Sequence, residues 1–323
     1  MPHAMRIYEH GGPEKLRWEE VQVGAPGEGQ VLVRSTAVGL NFIDTYQRSG
    51  LYPMPLPFTP GSEGAGVVEA VGPKVKEFKV GDRVAYAGPP GAYAEVLLRP
   101  AARLVKIPAG VDDKTAAAMM LKGMTTQYLL RRTYRVQKGD TILMHAAAGG
   151  VGQILCQWAK ALGATVIGTV GSDDKVALAK KAGCKHVIVT SREKIVERVK
   201  EITKGKGVPV VYDGVGKDTF ADSLDCLAPL GLLASFGNAS GAVTQFNPGV
   251  LAQKGSLFLT RPTLMSYTAT REDLVKSAAE LFSMVKSRKV RIQINQTYPL
   301  REAAQAHRDL EGRKTTGSTV LIP

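Results

Sequence analysis

TILMHAAAGGVGQILCQWAKALGATVIGTV, residues 141–170, decides the fold. TILMHA (141–146) is an apolar, strand-forming run. AAAGGVG (146–152) is a bend too rich in glycine and alanine to extend it. An amphipathic helix is expected from about Gly150 to Leu162, and ATVIGTV (164–170) is a second strand. A strand, a glycine bend, a helix and a strand form a crossover unit, which implies a parallel sheet covered by helices. In that setting the bend has the form of a dinucleotide fingerprint. Gly149 and Gly152 keep the turn tight and let the next strand pack close. The helix start at Gly150 and Val151 offers unpaired N–H groups and a positive dipole end to a pyrophosphate. The spacing is AxxGxxG rather than GxGxxG, so its weight comes from the flanking strand and helix.

Downstream the rhythm continues. A helix is expected from Asp173 to Ala182, a strand at HVIV (186–189) and a helix over 192–203. A strand follows at PVVYDG (209–214), then a helix over 217–227 and strands at GLLASFG (231–237) and SLFLTR (256–261). Upstream the texture changes near residue 113, where a helix rich in Ala, Met and Leu (113–135) follows a β-rich first third. That third holds VLVRSTAVGL (31–40), GAGVVEAVG (64–72), DRVAYA (82–87) and YAEVLLR (93–99), punctuated by Gly and Pro. The tail, with a helix (271–286), a strand (291–297), a helix (300–310) and a strand (317–322), is too short to stand alone. It is expected to return to the N-terminal domain. The fold class is therefore α/β: a β-rich domain over 1–122 and 262–323, and a doubly wound parallel sheet over 123–261.

The residue after the second strand selects the cofactor. NAD enzymes commonly place an Asp or Glu at that tip to bond the ribose 2′-hydroxyl. Here the tip reads Thr169-Val170-Gly171-Ser172, without an acid, and Lys175 follows on the next turn. Ser172 and Lys175 suit a 2′-phosphate, and NADPH is the expected cofactor; a solvated helix lysine is the bland alternative for Lys175. Strand ends of the same sheet should line the crevice, which nominates Asp213-Gly214-Val215-Gly216 and Phe236-Gly237-Asn238, mainly through backbone groups; plain turn chemistry is the alternative.

The 323 residues carry a formal net charge of +13, with 18 Lys/Arg against 10 Asp/Glu in 123–261 and 24 against 19 elsewhere. The middle of the chain is thus the more basic part, which suits a phosphate-rich ligand there. Cys156, Cys184 and Cys226 form no CxxC pair, which argues against a disulfide framework and a cysteine-built zinc site; each reads as a small buried hydrophobe. With no signal-peptide pattern and no bilayer-length apolar run, a cytoplasmic protein without a membrane partner is expected. His145 reads as a satisfied core histidine, and Met119, Met120 and Met124 as core.

The chain resembles the zeta-crystallin-like quinone oxidoreductases of the medium-chain dehydrogenase/reductase superfamily. The resemblance rests on NFIDTYQRSGLYP (41–53), PGSEGAGVVEAVG (60–72), GDRVAY (81–86), LKGMTTQYLLR (121–131), HAAAGGVGQILCQWAKALGA (145–164), VVYDGVGKDTF (210–220), FGNASGAV (236–243), QKGSLFLTRPTL (253–264) and GRKTTGSTVLIP (312–323). It implies a GroES-like domain around a Rossmann domain, and a homodimer whose Ser256–Arg261 strands pair. It implies that Asn41, Asp44, Tyr46 and Tyr52 face nicotinamide and substrate, and that Gly149 to Gly152 hold the pyrophosphate. Ser172, Lys175 and Arg313 lie near the 2′-phosphate. Tyr128, Asp213, Phe236, Asn238, Ser240, Phe258, Thr260 and Arg261 line the pocket. Relatives often carry a Tyr near the adenosine where Thr190 stands here, and Arg192 is the candidate to take over phosphate contact. Zinc alcohol dehydrogenases of the superfamily place a Cys at the position of Asn41 and a His at that of Ser62, so the family's metal site is not expected.

The implied activity is NADPH-dependent quinone reduction. Hydride addition to a quinone yields an anion that becomes aromatic, so positioning and modest hydrogen bonding to the developing oxygen charge suffice. Asn41, Tyr46 and Tyr52 are the candidate donors; packing is an equal alternative for Tyr46, and Asp44 reads as a helix-start or structural acid. Reduction of an activated alkene, such as an α,β-unsaturated ketone or aldehyde, uses the same geometry. Some zeta-crystallin relatives bind RNA or serve as lens protein; the basic charge permits such a role, which ranks below both enzyme readings.

Overall fold

A computed structural model describes residues 1–323. The chain divides into two compact units. Unit 1 comprises Met1–Met124, Thr268–Lys286 and Ile292–Pro323; unit 2 comprises Thr125–Tyr267 and Ser287–Arg291.

Unit 1 is built on one long strand, Gln30–Leu40. It pairs antiparallel with Glu63–Val71 along most of its length, and two register shifts in that ladder bend it. Its first half also pairs with Val96–Pro100, and its last residues with the C-terminal strand Ser318–Ile322. Ser318–Ile322 in turn pairs parallel with Ile294–Pro299, so both tail strands are integral to this sheet. Alternating Val31, Val33, Val68 and Val84 point into a core shared with Tyr93, Leu104 and Ala303. A buried valine or leucine of this kind contributes about 1.5–3 kcal/mol. His3–Arg6 and Arg17–Glu20, absent from the sequence reading, form a separate two-stranded antiparallel sheet, tied to the rest of the unit by single bridges from Ala4 to Ala94 and from Ile7 to Phe58.

Unit 2 holds a six-stranded, wholly parallel sheet. From edge to edge it runs His186–Val189, Thr165–Val170, Thr141–Met144, Val208–Asp213, Leu227–Ser235 and Phe258–Thr260. Strand order therefore reverses at Thr141–Met144, whose later neighbours in sequence fall on one side and then on the other. In such sheets ligands sit beyond the strand ends at this switch point, and the glycine bend lies there. The helix expected over 113–135 ends as an α-helix at Tyr128 and closes with a π-turn, Leu129–Thr133, in which the Tyr134 N–H reaches the Leu129 carbonyl. The helix expected from 192 starts at Ile195, because Arg192 and Glu193 turn back to donate to the Val189 carbonyl. Met119, Met120 and Met124 are fully buried. All three cysteines are free and buried, but folding brings two together: Cys156 and Cys184 lie 3.4 Å apart, sulfur to sulfur. No helix is long and apolar enough to cross a membrane.

Candidate active site

The glycine bend begins at Ala146, held in the left-handed region at φ 53°, and its N–H reaches the Thr169 hydroxyl oxygen. The Gly149 N–H closes the turn on the Ala146 carbonyl at 2.9 Å. The helix Gly150–Ala161 then starts with Gly149 in the capping position, where no side chain caps it. The first-turn N–H groups of Gly150, Val151 and Gly152 have no intrahelical acceptor, so this end is built for an anion. A methyl at Gly152 would sit 2.3 Å from the Ala146 carbonyl oxygen, and one at Gly149 would sit 3.2 Å from it. The tight approach is therefore between helix and bend. The room for the next strand comes from Gly168, where a methyl would strike Cys184 and Ala147. That corrects the expectation that Gly149 and Gly152 serve the packing of that strand.

Beyond that strand, a methyl at Gly171 would meet nothing within 4 Å, and Ser172 opens the short turn Asp173–Lys175. The acid-free, open tip fits a nucleotide bearing a 2′-phosphate. Arg192 extends along this turn and pairs with Asp173 at 2.9 Å. The corner after Val208–Asp213 packs on the corner after Leu227–Ser235: a methyl at Gly237 would lie 2.3 Å from the Gly214 carbonyl oxygen. Asp213, Phe236, Asn238 and Ser240 are thus brought together. The Ser240 hydroxyl donates to the Val215 carbonyl and accepts the Asp218 N–H. The Asp213 carboxylate is fully buried and is spent on the Val215 and Gly216 N–H groups and the Thr219 and Ser223 hydroxyls.

Ser223 also meets His145 Nε2 at 3.0 Å, and His145 Nδ1 meets the Thr169 hydroxyl at 3.1 Å. Because Ser223 donates to Asp213, it accepts from His145, and Nδ1 accepts from Thr169. The imidazole is neutral, and burial pushes its pKa down. Of the remaining candidates, Tyr128 is buried and stacked on Tyr267 at 4.4 Å. Thr260 and Phe258 lie on the outermost strand, with Phe258 exposed, and Arg261 donates to the Ser235 carbonyl. Arg313, in unit 1, takes a left-handed backbone (φ 58°) after the helix Ala303–Glu311.

The unit 1 candidates gather at the helix Phe42–Ser49. Asn41 precedes it in extended backbone, and Asp44, at its third position, accepts the Asn41 N–H at 2.9 Å. Tyr46 is nearly buried and meets Tyr52 edge to face at 5.2 Å, while the Tyr52 N–H donates to the Tyr46 carbonyl. The Asn41 amide nitrogen donates to Glu63 at 2.9 Å and to the Gly39 carbonyl at 3.4 Å. A fully buried carboxylate, that of Glu63, thus holds the Asn41 amide.

Around these residues lies a polar network to which the sequence reading gave no role. Glu63 forms a buried ion pair with Lys122 and accepts the Leu121 N–H at 2.6 Å. Asp44 accepts from Ser62 at 2.9 Å and from Tyr93 at 3.0 Å. Burial outweighs these donors and raises the Asp44 carboxyl to about 7. Glu63 and Lys122 stand inside the quoted PGSEG and LKGMTT stretches, so position within a motif was the signal that could have found them. Arg48 likewise stands inside the quoted NFIDTYQRSGLYP stretch, but no local signal marks Tyr93 or His307. No group of three or more His, Cys, Asp or Glu side chains is gathered in ligating array; Asn41 and Ser62 are engaged by Glu63 and Asp44 instead.

Residues 27–109 match the alcohol dehydrogenase GroES-like domain family, and residues 150–283 the zinc-binding dehydrogenase family. The chain is 58% identical over 325 residues to a quinone oxidoreductase of Pseudomonas aeruginosa, covering 100% of both. It is 49% identical to the 2-haloacrylate reductase of a Burkholderia species, covering 100% of this chain and 99% of that protein. The crystal structure of the Escherichia coli quinone oxidoreductase complexed with NADPH matches with a TM-score of 0.98 at 51% identity, covering 99% of this chain and 100% of that one. With identity of this level from end to end, the chain belongs to the quinone oxidoreductases of the medium-chain dehydrogenase/reductase superfamily.

Proposed function

We propose that this protein reduces quinones with NADPH. The observation that carries the reading is the uncapped glycine bend at the sheet's switch point, followed by a strand tip with no acid, in a chain of this family. The N–H groups of Gly150, Val151 and Gly152 hold the pyrophosphate. Ser172 and Lys175 hold the 2′-phosphate by a hydroxyl bond and a charge. Bound NADPH supplies the hydride. The chain's own part is to orient the acceptor and to stabilise charge on its oxygen. The donors for that oxygen are the hydroxyls of Tyr46 and Tyr52 and the Asn41 amide, which Glu63 orients.

The homodimer is part of the same proposal. Phe258–Thr260 is an edge strand paired on one side only within the chain, with Phe258 exposed, and pairing with its twin would join two sheets.

The test is affinity for NADPH against NADH in one buffer, followed by turnover of 1,4-benzoquinone, 9,10-phenanthrenequinone and an enone. Tighter NADPH binding and faster quinone turnover are expected. The 2-haloacrylate reductase at 49% identity favours activated alkenes as the second reading, and faster turnover of the enone would establish it in place of the first.

A further inference from the structure

Arg48 is 2% exposed and sits at one end of a buried chain of hydrogen bonds. It donates to the Gly11 carbonyl at 3.0 Å and to both Glu311 oxygens, at 2.7 and 3.1 Å. Its Nη1 also lies 2.9 Å from His307 Nδ1. His307 Nε2 lies 3.0 Å from the Tyr93 hydroxyl, which lies 3.0 Å from Asp44 Oδ2. A guanidinium has no acceptor and does not lose its proton, so His307 Nδ1 must accept. The proton of a neutral imidazole is then on Nε2 and is donated to the Tyr93 oxygen. Tyr93 is left to aim its single hydrogen at Asp44. Every bond in the chain points the same way, and it ends on the carboxylate that holds the Asn41 N–H.

We infer that His307 is a positioning residue for the acceptor side: locked by Arg48 as the Nε2–H tautomer, it directs Tyr93 onto Asp44 and so fixes Asn41 and the first turn of the helix that carries Tyr46. The kinetic consequence rests on the quinone-reductase reading; the tautomer does not. The groups facing Asp44 are Ser62, Tyr93 and Glu63, the last paired with Lys122; those facing His307 are Arg48 and Tyr93. Burial, with the Arg48 charge in second place, pushes the His307 pKa down to about 3, as a histidine that must accept from a cation requires.

Two experiments on the full-length protein test this. In nitrogen-15 spectra of labelled histidine, His307 should be protonated on Nε2 and bare on Nδ1 from about pH 5 to about pH 8. A proton on Nδ1, or an imidazolium, would overturn the inference whatever the enzyme's substrate. In turnover of 9,10-phenanthrenequinone, His307→Leu and Tyr93→Phe should each lower kcat about tenfold while the KM for NADPH stays at the wild-type value. Tyr93→Phe removes a donor from Asp44, so the acidic limb of its pH profile should move upward. His307→Gln should restore kcat, since its amide oxygen accepts from Arg48 and its nitrogen donates to Tyr93. Wild-type kcat and pH midpoint in Tyr93→Phe, or equal rates in the Leu and Gln variants with only Tm altered, would make the chain structural and sink the proposal. Failure of the wild-type protein to reduce any quinone would strike the functional reading and leave the tautomer result standing.

Discussion

Each unit buries one histidine, and the two are wired differently. In unit 2, His145 runs from the Thr169 hydroxyl to Ser223 and on to Asp213, and Thr169 also accepts the Ala146 N–H of the glycine bend. In unit 1, His307 runs from Arg48 to Tyr93 and on to Asp44, which accepts the Asn41 N–H. Both imidazoles are neutral go-betweens, and each chain reaches a functional backbone N–H: that of Ala146, where the glycine bend begins, and that of Asn41, at a helix start. The difference is where the charge lies. On the cofactor side the carboxylate is remote from the bend and a neutral hydroxyl faces it, which leaves the bend's positive dipole for the pyrophosphate. On the acceptor side the carboxylate itself stands at the helix start. The cofactor side is shaped by backbone fit; the acceptor side is held by buried charge.

The sharpest way to break one without the other is Gly152→Ala. Its methyl would meet the Ala146 carbonyl oxygen at 2.3 Å and the Ala147 Cα at 2.7 Å, both rigid backbone. NADPH affinity should fall by about 100-fold or more, roughly 3 kcal/mol, in a fluorescence titration. The histidine-15N signals of His307 should stay in place. The counterpart in unit 1 is Lys122→Met, which strands the fully buried Glu63 carboxylate with only the Asn41 amide and the Leu121 N–H. Removing one partner of a buried pair costs about 3–5 kcal/mol, so a large fall in Tm is expected, with NADPH affinity in the folded fraction little changed.

A smaller effect separates His307 from its neighbours by pH. A histidine whose folded pKa is depressed contributes stability that is present above its unfolded value and lost as pH falls toward the folded one. For His307 that window runs from 6.5 down to about 3. Asp44 acts oppositely: raised from 3.8 to about 7, it stabilises the fold at low pH and that contribution is lost as pH rises from 3.8 to about 7, an overlapping window. The two partly cancel in the wild-type protein. His307→Gln removes only the first, so its Tm should fall less than the wild-type Tm between pH 7 and pH 4. Parallel curves for the two proteins would show that His307 titrates in the native state as it does in the unfolded chain.

What was legible in the sequence follows the same division. The bend, its helix and its strands are local: Ala146 to Gly152 are contiguous, and the alternation of strands and helices from 141 to 261 marks a parallel sheet. The acid-free tip at Gly171 and Ser172 is equally local. The acceptor-side network is not. Asp44 meets Tyr93 at 49 positions' separation, Tyr93 meets His307 at 214, and Arg48 meets His307 at 259. No periodicity ties Gln47-Arg48 to the tail helix, and a lone histidine in AAQAHRDLE carries no signature of its partners. Asn41 was legible by position, but its buried partner Glu63, 22 positions away, was not. The left-handed backbone at Ala146 was equally hidden, since alanine gives no sign of it.

The mildest test bears on a solvated ion pair at the cofactor side, that of Arg192 and Asp173. Arg192 and Asp173 are both more than half exposed, and their pair should add little to stability. Its effect on ligand choice is a separate matter. Asp173 directly follows Ser172, and an unpartnered carboxylate there would repel a 2′-phosphate; Arg192 neutralises it. Arg192→Ala should therefore weaken NADPH binding by about two- to five-fold and leave NADH binding unchanged, with Tm unaffected. Because the pair is solvated, raising the ionic strength should shrink the difference between variant and wild type. A loss of the Gly152→Ala size from this exposed substitution would place a principal phosphate ligand at Arg192, and backbone fit alone would no longer account for the cofactor side.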